Sequence, residues 1–533
     1  MIFRPVGILA AALLGTSLWA SLAGAEAIGA AEGNAPVRLA ENDLPLSRDA
    51  LFDTAPEEHK DSPVSVTEAP SLPASKEDLF ALEPALDKPV GGKVDGGKVE
   101  EALPLSKETL FSEEMATKDE FPRPHKSASA RGGPSRVRGF AQAELAHTYA
   151  RPDHGSKAMG RLELGTQGHL GQGIQWKLSG RLDYNAIYDL NDFYQQAVRD
   201  DQRAEFQLRE TYLDLSAGGW DWRLGRQHIV WGEMVGLFFA DVVSAKDLRE
   251  FILPDFQVLR IPQWAARAEY FAGDFHAEVA WIPFPSYDRI GKPSDFTRPG
   301  SGADFYPYPP AIRPLILDEV KPGTGIDHGN FGVRLTQLTK GWDMSGFFYS
   351  SMNSSPTFYQ FAPNVFTPRH DRIWQAGGTL GKDLGEVVLK AEAVYTNGRR
   401  FNLLVPDPDG VVKQNTLDWA VGLDFNPGSD TRVNTQLFQR YFFDHNPDII
   451  PAKAENGMSL LVSHSFPGNW KAEALLVHSL NRSDWMFRPK ASWGFQPNWK
   501  VTFGLDVFGG PPTGLFGQYD QQDRAYAEVR HDF

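Results

Sequence analysis

Residues 499–508 read WKVTFGLDVF, in which Trp499, Val501, Phe503 and Leu505 alternate with mostly polar neighbours. A period of two is typical of a β-strand whose two faces meet different surroundings. The same alternation occurs in 174–188, in 416–425 and through most of the chain after residue 136. The polar face carries too many charges in too many strands for a soluble sandwich. We therefore expect it to line a wet lumen, with the apolar face turned to lipid.

The composition is consistent with such a barrel. Mean hydropathy is −0.36, yet aromatic residues make up 12% of the chain, with 14 tryptophans. Beyond the N-terminus no apolar run reaches the roughly 18 residues of a spanning helix, which excludes a helical membrane protein. The net charge of −15 argues against nucleic acid as a partner. The absence of cysteine excludes disulfides and thiolate metal sites.

Connection lengths give an independent signal, because short turns alternate with longer loops, as at the two ends of an outer-membrane barrel. Tight turns are expected at 171–173, 216–219, 272–274, 339–341, 381–385, 426–430, 467–469 and 496–498. Longer loops are expected at 189–204, 234–263, 285–329, 353–371, 396–415, 444–456 and 509–522. Eight turns with both termini at one end give nine hairpins. We therefore predict an all-β fold, a transmembrane antiparallel β-barrel of about 18 strands over residues 137–533.

Aromatic residues follow the turns, as expected for a ring at the periplasmic interface. This ring comprises Trp176, Trp222, Phe275, Trp342, Trp470 and Trp499. A second ring near the other strand ends comprises Tyr149, Tyr184, Trp281, Tyr395 and Tyr441. The final residues 524–533, RAYAEVRHDF, place Phe533 at the end of an alternating strand. They resemble the C-terminal signature of outer-membrane proteins, which implies the barrel-assembly machinery and outer-membrane lipid as partners.

The first 136 residues differ in character. Residues 1–25 combine Arg4, an apolar stretch over 6–20 and a small-residue cleavage site before Glu26, which predicts a secretory signal peptide. Residues 26–136 are rich in Pro, Glu, Lys and Ser and poor in aromatics, which predicts a disordered arm. We expect the barrel in the outer membrane of a Gram-negative bacterium and the arm in the periplasm.

The arm contains a repeat, which reads LPLSRDALF at 44–52, LPASKEDLF at 72–80 and LPLSKETLF at 103–111. The serine fits the N-cap of one helical turn and the acidic residue its first turn. A single turn is unstable alone, so each copy is expected to fold onto a periplasmic or inner-membrane transport partner. The apolar anchors would be Leu51, Phe52, Leu79, Phe80, Leu110 and Phe111. The alternative is a linker duplicated without a partner.

Residues 234–263 are too apolar for a solvated external loop. We expect them to fold into the lumen as a constriction or plug, with a helix capped by Ser244. The alternative is an external loop over the barrel rim. The constriction residues would be Asp241, Asp247, Arg249, Glu250 and Phe251. The lumen residues beside them would be Arg181, Asp183, Glu210, Arg226 and Glu233.

A parity change in strand 205–215 predicts a bulge near Arg209.

The sequence motifs predict no catalytic, cofactor or metal site. The sequence has no HExxH pair, no Gly-x-Ser-x-Gly elbow and no phosphate loop. His276 and Glu278 share one strand face, where lumen ion pairing is the simpler interpretation. His478 and His531 have outward parity and would serve a lipid-active enzyme, although interfacial residues of this kind are ordinary.

Four stretches carry a resemblance: RETYLDL at 209–215, LGRQ at 224–227, WGE at 231–233 and ADVVSAKDL at 240–248. They resemble a family of uncharacterised Gram-negative outer-membrane barrels often encoded beside resistance-nodulation-division exporters. The LGRQ strand is more distantly similar to the alginate-export porin family. Ser244-Ala245 replaces the Asn-Pro usual in that first family.

The resemblance implies transport. We therefore expect a channel or export conduit for a small or amphipathic solute. The alternative is a sealed barrel that serves as a membrane anchor or interaction scaffold for the arm.

Overall fold

The computed structural model describes residues 137–533, apart from 172, 233, 235–238, 296–299, 310–312, 324–325 and 406. The predicted signal peptide and the arm with its three Leu-Phe motifs lie outside the described residues, as does Glu233.

Eighteen long strands form one antiparallel sheet that closes on itself, which confirms the predicted barrel. In chain order they are β1 Arg138–Thr148, β2 His154–His169, β3 Ile174–Asn185, β4 Ala204–Ala217, β5 Trp220–Gln227, β6 Gln263–Ala272, β7 Phe275–Phe284, β8 Asn330–Thr339, β9 Trp342–Met352, β10 Arg372–Asp383, β11 Val387–Asn402, β12 Val411–Phe425, β13 Thr431–Phe443, β14 Ala454–Phe466, β15 Trp470–Ser479, β16 Trp485–Gln496, β17 Trp499–Gly509 and β18 Arg524–Asp532. The sheet closes where β1 pairs with β18, with Phe140 opposite Asp532. At this seam Gly139 and Phe533 exchange two backbone hydrogen bonds of 2.9 Å.

The two faces of the wall are the reverse of those in a soluble protein. In β3, Leu178 and Leu182 are 45% and 51% exposed, whereas Arg181 and Asp183, on the opposite face, are buried. A soluble protein rarely buries Arg and Asp while exposing a belt of leucine. The belt continues around the outer face through Leu145, Leu164, Leu213, Phe331, Leu335, Phe348, Leu437, Phe487, Phe503 and Leu505. Lipid is the solvent that suits this surface, so the fold is a transmembrane β-barrel.

The remaining elements are short. The helices are α1 Ile187–Leu190, α2 Gln196–Gln202 and α3 Phe256–Leu259, with 3₁₀ turns at Ile326–His328 and Gly517–Gln522. Small strands lie at Ala245–Lys246, Arg260–Ile261, Leu315–Ile316, Thr357–Ala362 and Val365–Arg369. Across the described ranges, each helix is too short or too polar to cross a bilayer.

The predicted turns join β2–β3, β4–β5, β6–β7, β8–β9, β10–β11, β12–β13, β14–β15 and β16–β17. The predicted loop at 396–415 is wrong, because β11 runs to Asn402 and β12 begins at Val411. The pairing register shifts between Thr396 and Arg399, beside Gly398 at φ 92°. A bulge of this kind changes side-chain parity, so the alternation of the hairpin breaks although the strands continue.

The predicted bulge in β4 is confirmed. Leu178 pairs with Thr211 and Gly180 with Leu208, so Arg209 and Glu210 together oppose Ser179. The Ser179 hydroxyl accepts a 2.9 Å hydrogen bond from the Glu210 backbone N–H. The bulge turns two consecutive charged side chains away from lipid, which the pleat of a regular strand does not allow.

Two strands are cut short because the chain leaves the wall between them. β5 ends at Gln227 and β6 begins opposite it at Gln263, and we call residues 228–262 the inserted segment. The Gln227 side-chain amide donates to the Ala265 carbonyl at 3.2 Å. Gly225 precedes it with φ 134°, and a Cβ there would lie 2.3 Å from the Thr211 carbonyl oxygen. Glycine is therefore required for β5 to approach β4 closely at this point.

The lipid-facing assignment predicts a charge penalty at the middle of β13. Leu437→Arg should lower the free energy of unfolding by about 2–4 kcal/mol in phosphatidylcholine vesicles, because a guanidinium there enters hydrocarbon. Urea unfolding measures it, and Leu437→Ala is the control for loss of the leucine alone. Equal stability of the two variants would contradict a lipid-facing Leu437.

Candidate functional site

The inserted segment is bound to inner-face side chains of strands far apart in the sheet. Glu250 pairs with β2 and β18, and the Leu253 carbonyl accepts from Arg488 of β16. The Val258 carbonyl accepts from Arg181 of β3 at 3.1 Å. Contacts to so many separate strands require the segment to run through the space that the wall encloses.

Glu250 lies between two basic side chains from different strands of the wall. Lys157 Nζ lies 2.8 Å from Glu250 Oε2 and 2.8 Å from Glu144 Oε2 on β1. Arg524 Nη1 lies 3.3 Å from the same Glu250 oxygen, and its Nε lies 2.9 Å from Asp506. Burial alone raises the pKa of Glu250, but the charges of Lys157 and Arg524 outweigh it and hold the pKa below its usual range.

Asp247 and Arg249 form a second ionic group at the same end of the segment. Arg249 lies 2.6 Å from Asp247 and 2.8 Å from Glu205 of β4. Arg289, in the connection after β7, also contacts Glu205 and lies 3.6 Å from Asp247. Burial raises the pKa of Asp247, but Arg249 and Arg289 reverse the shift and hold the pKa well below its usual range. Each charge here has an opposite neighbour, so burial is compensated.

Phe251 fills a hydrophobic cluster between the ionic groups, where it is 9% exposed. Its ring lies 4.9 Å from that of Tyr519 and 6.0 Å from that of Phe516, both in the connection between β17 and β18. Phe305 and Phe508 complete the cluster. Phe251 adopts φ 53°, a rare conformation for a bulky residue. It therefore serves as an apolar anchor at the tip of the segment.

The beginning of the segment is equally well packed. Trp231 is fully buried, donates to Glu278 Oε1 of β7 at 3.1 Å, and lies 5.3 Å from the Phe347 ring. Glu392 of β11 accepts the backbone N–H groups of Met234 and Ala240 at 2.9 and 3.1 Å. A carboxylate that receives two backbone donors can fix an irregular chain in a buried place.

The helix expected after Ser244 is absent from this described stretch, where Ala245–Lys246 pairs with Arg260–Ile261 instead. The Ser244 hydroxyl donates to the Ile229 carbonyl at 3.0 Å, so it is not free to cap a helix. Asp241 pairs with Arg260 at 2.9 Å, which ties the two halves of the segment together. Asp241 thus contacts its own segment, whereas Asp247, Arg249 and Glu250 reach other parts of the chain.

Of the five expected lumen residues, three lie on the inner face. Arg181 and Asp183 are buried together on the inner face, with Arg161 Nε 2.7 Å from Asp183. Glu210 also turns inward and contacts Lys177 at 2.5 Å. Glu233 lies outside the described residues.

The lumen assignment of Arg226 requires a correction. Arg226 shares the parity of Trp222 and Leu224, which are 37% and 39% exposed on the outer face. The β4–β5 register shows no shift that would reverse this parity, and Arg226 lies opposite Thr211. Regular alternation therefore carries Arg226 to the outer side of the wall.

Sequence reasoning did not identify Lys157 and Glu392 as partners of the segment. Lys157, Met159 and Arg161 share one face of β2, so alternation carried a signal for the inner position of the two charges. Alternation carried no signal for which segment residue each would meet, because that depends on the stagger of the closed sheet.

A small cavity of about 50 Å³ remains among these groups, lined in part by Lys157, Arg181, Glu250 and Arg524. This volume suits one or two water molecules. Wall and segment are therefore in close contact where the ionic groups meet.

One group of side chains resembles a metal site. Ligand atoms of Glu269, His276 and Glu278 lie within 4.8 Å of one another. Arg267 already contacts Glu269, His276 Nε2 lies 3.1 Å from the same carboxylate, and Glu278 accepts the Trp231 indole N–H. Each of these side chains thus has a partner within the protein, and ion pairing at the inner face stays the simpler interpretation of His276.

The closed sheet, the apolar outer face and the charged inner face define the class of protein as a transmembrane β-barrel of the outer-membrane type. The chain belongs to the family described as "Protein of unknown function (DUF1302)", whose model matches residues 156–527. This match confirms the resemblance to an uncharacterised barrel family.

Solved structures of low similarity were also found. OccAB1 of Acinetobacter baumannii has 9% identity and a TM-score of 0.46, over 75% of this chain and 96% of that one. OccK2 of Pseudomonas aeruginosa, in complex with glucuronate, has 11% identity and a TM-score of 0.43, over 75% and 98%. None of the curated protein sequences matches the chain.

The ion pairs of Glu250 predict that acid loosens the segment. Because the pKa of Glu250 is lowered from its ordinary 4.5, its contribution is complete above that pH and is lost as the pH falls toward the lowered value. Glu250→Gln should loosen the segment at neutral pH, by on the order of 3 kcal/mol for a broken buried pair.

Distances between spin labels would measure this loosening, since the chain has no native cysteine. The two labels would be attached at exposed residues, one through Asp255→Cys in the segment and the other through Ser483→Cys in the β15–β16 connection. We expect one narrow distance distribution at pH 7 and a broad one once the pH falls below about 2. A distribution equally narrow at both pH values would contradict the role of Glu250.

Proposed function

We propose that the protein is an outer-membrane channel or export conduit whose lumen is narrowed by the inserted segment. The observation that carries this proposal is the attachment of residues 239–261 to inner-face charges on widely separated strands, with Glu250 between Lys157 and Arg524 as the central contact. A segment held in this way divides the lumen, and a solute has to pass beside it.

The size of the barrel favours a channel over a sealed anchor. Barrels of 16 to 18 strands are generally wide enough for an aqueous passage, whereas eight-stranded barrels are filled by their own side chains. We expect a barrel of this size to keep a passage beside the inserted segment. The inner wall is charged in both signs, as with Arg440 and Asp418 or Lys390 and Asp424. Alternating charges of this kind favour hydrated solutes and do not select strongly for one sign.

Selectivity would then come from the segment. Its ion pairs hold Asp247, Arg249 and Glu250 in fixed positions beside the passage. Its apolar residues Phe239 and Val242, which pack against the cluster around Trp231, add a hydrophobic surface elsewhere along the segment. A passage with both kinds of surface suits a small solute with a polar and an apolar part.

Removing the constriction should enlarge the passage. In planar bilayers we expect deletion of 236–252 to raise single-channel conductance several-fold, because the narrowest part of the path sets the resistance. Deletion of 405–409 in the β11–β12 connection is the control and should leave conductance unchanged. Equal conductance of the parent chain and the 236–252 deletion would contradict a constriction, and a parent chain that conducts no ions would favour the sealed anchor.

We further propose that the arm recruits a periplasmic or inner-membrane transport partner through its three Leu-Phe motifs. Support comes from the nine-residue pattern, repeated three times with the same polar and apolar positions. Several weak motifs on one flexible chain bind together more tightly than one.

A peptide of residues 101–113 should therefore capture a periplasmic or inner-membrane protein from membrane extracts. The variant with Leu110→Ala and Phe111→Ala should lose that protein, because the apolar anchor is removed. Quantitative mass spectrometry of the two captures measures the difference. Equal capture by both peptides would contradict the motif.

A further inference from the structure

One edge of β4 lacks a neighbouring strand over part of its length. β3 pairs with β4 up to Ala204, whereas β5 covers only Thr211 to Ala217. On the β5 side, residues 204–210 therefore have no strand partner in the described part of the chain. This edge is unpaired because the chain leaves the wall after Gln227 to form the inserted segment, so β5 does not extend beside residues 204–210.

A cavity of about 460 Å³ lies at this edge. It is lined by Phe206 and Leu208, which have outward parity, and by Glu205 and Gln207, which have inward parity. Phe206 is 70% exposed, while Glu205 and Gln207 hydrogen-bond to inner arginines. Since both faces of one strand border the same cavity, the cavity crosses the wall at the strand edge.

The far side of the cavity combines apolar and basic groups. Ile261, Phe284 and Tyr287 supply apolar surface, and Arg289 and Lys321 supply charge. Arg289 is already paired with Glu205 and Asp247, and Lys321 lies 3.2 Å from Glu319.

Arg226 differs from these two basic residues. It lines the cavity from the outer side, and its Nε is buried without a hydrogen-bond partner among the described residues. An arginine on the lipid side is costly unless an anion or water meets its guanidinium. The long arginine side chain can extend toward the membrane–water interface. Its planar guanidinium, however, forms better-matched hydrogen bonds with phosphate or carboxylate oxygens than with water.

We call the gap between residues 204–210 of β4 and Phe284 at the end of β7 the notch. From this arrangement we infer that the notch is a lateral opening in the barrel wall. An anionic amphiphile with one hydrocarbon chain passes through it between the lumen and the membrane. Arg226 binds its anionic head, and Phe206, Leu208 and Phe284 contact its chain. The inference rests on the proposed channel and names the chemical class of its solute.

A photoreactive amphiphile would test the opening on the full chain in phosphatidylcholine nanodiscs. Dodecanoate with a diazirine at its tail should label peptides that contain 204–208 and 284–287, found by mass spectrometry. Dodecanol with the same diazirine should label them weakly. Arg226→Gln should reduce dodecanoate labelling about tenfold, as for loss of a charge-assisted contact, and Arg226→Lys should retain most of it.

A second pair of variants tests the space itself. Ser286→Trp fills the cavity and should reduce labelling, whereas Thr435→Trp on the outer face of β13 should leave it unchanged. Labelling spread evenly around the wall, or labelling unaffected by Arg226→Gln, would overturn the opening. If the protein conducts ions but is not labelled in this way, the lateral opening is contradicted and the proposed channel is not. If it is labelled but does not conduct, the lateral opening is supported and the proposed channel is contradicted.

Discussion

Hydrocarbon offers no water to the backbone, so every strand within a bilayer needs a neighbour on each side. The closure of β1 on β18 meets this requirement for the sheet as a whole. The edge of β4 at 204–210 has no strand partner on the β5 side, so strand pairing alone does not meet this requirement there. An edge of this kind is tolerated where it borders a cavity lined by protein and polar groups, which is where the structure has it.

The inserted segment and the notch have one origin. The chain leaves the wall at Gln227 and returns at Gln263, so the residues that would have lengthened two strands occupy the lumen instead. Inside, they require partners for their own charges and backbone groups, and the wall supplies them through Lys157, Arg524 and Glu392. The proposed constriction and the proposed lateral opening would therefore both result from one departure from the sheet.

The sequence predicted the wall well because its signal is local. Alternation, turn residues and the parity change near Arg209 each depend on neighbours in the chain. The prediction from sequence was wrong where a local signal was overridden. A bulge interrupted the alternation of the β11–β12 hairpin, which was therefore taken for a loop. The Ser244 hydroxyl donates to the Ile229 carbonyl instead of capping a helix. Contacts such as Lys157 with Glu250 were beyond sequence reasoning, because they depend on how the closed sheet staggers distant strands.

A constriction requires that the inserted segment lie packed inside the barrel. Hydrogen–deuterium exchange of the full chain in detergent measures this directly, peptide by peptide. Residues 239–261 should exchange as slowly as the ends of the wall strands, because the Ala240 N–H is bonded to Glu392 and the N–H groups of Asp247 and Leu248 are bonded to backbone carbonyls. Exchange of 239–261 as fast as that of the β11–β12 connection at 403–410 would contradict the account.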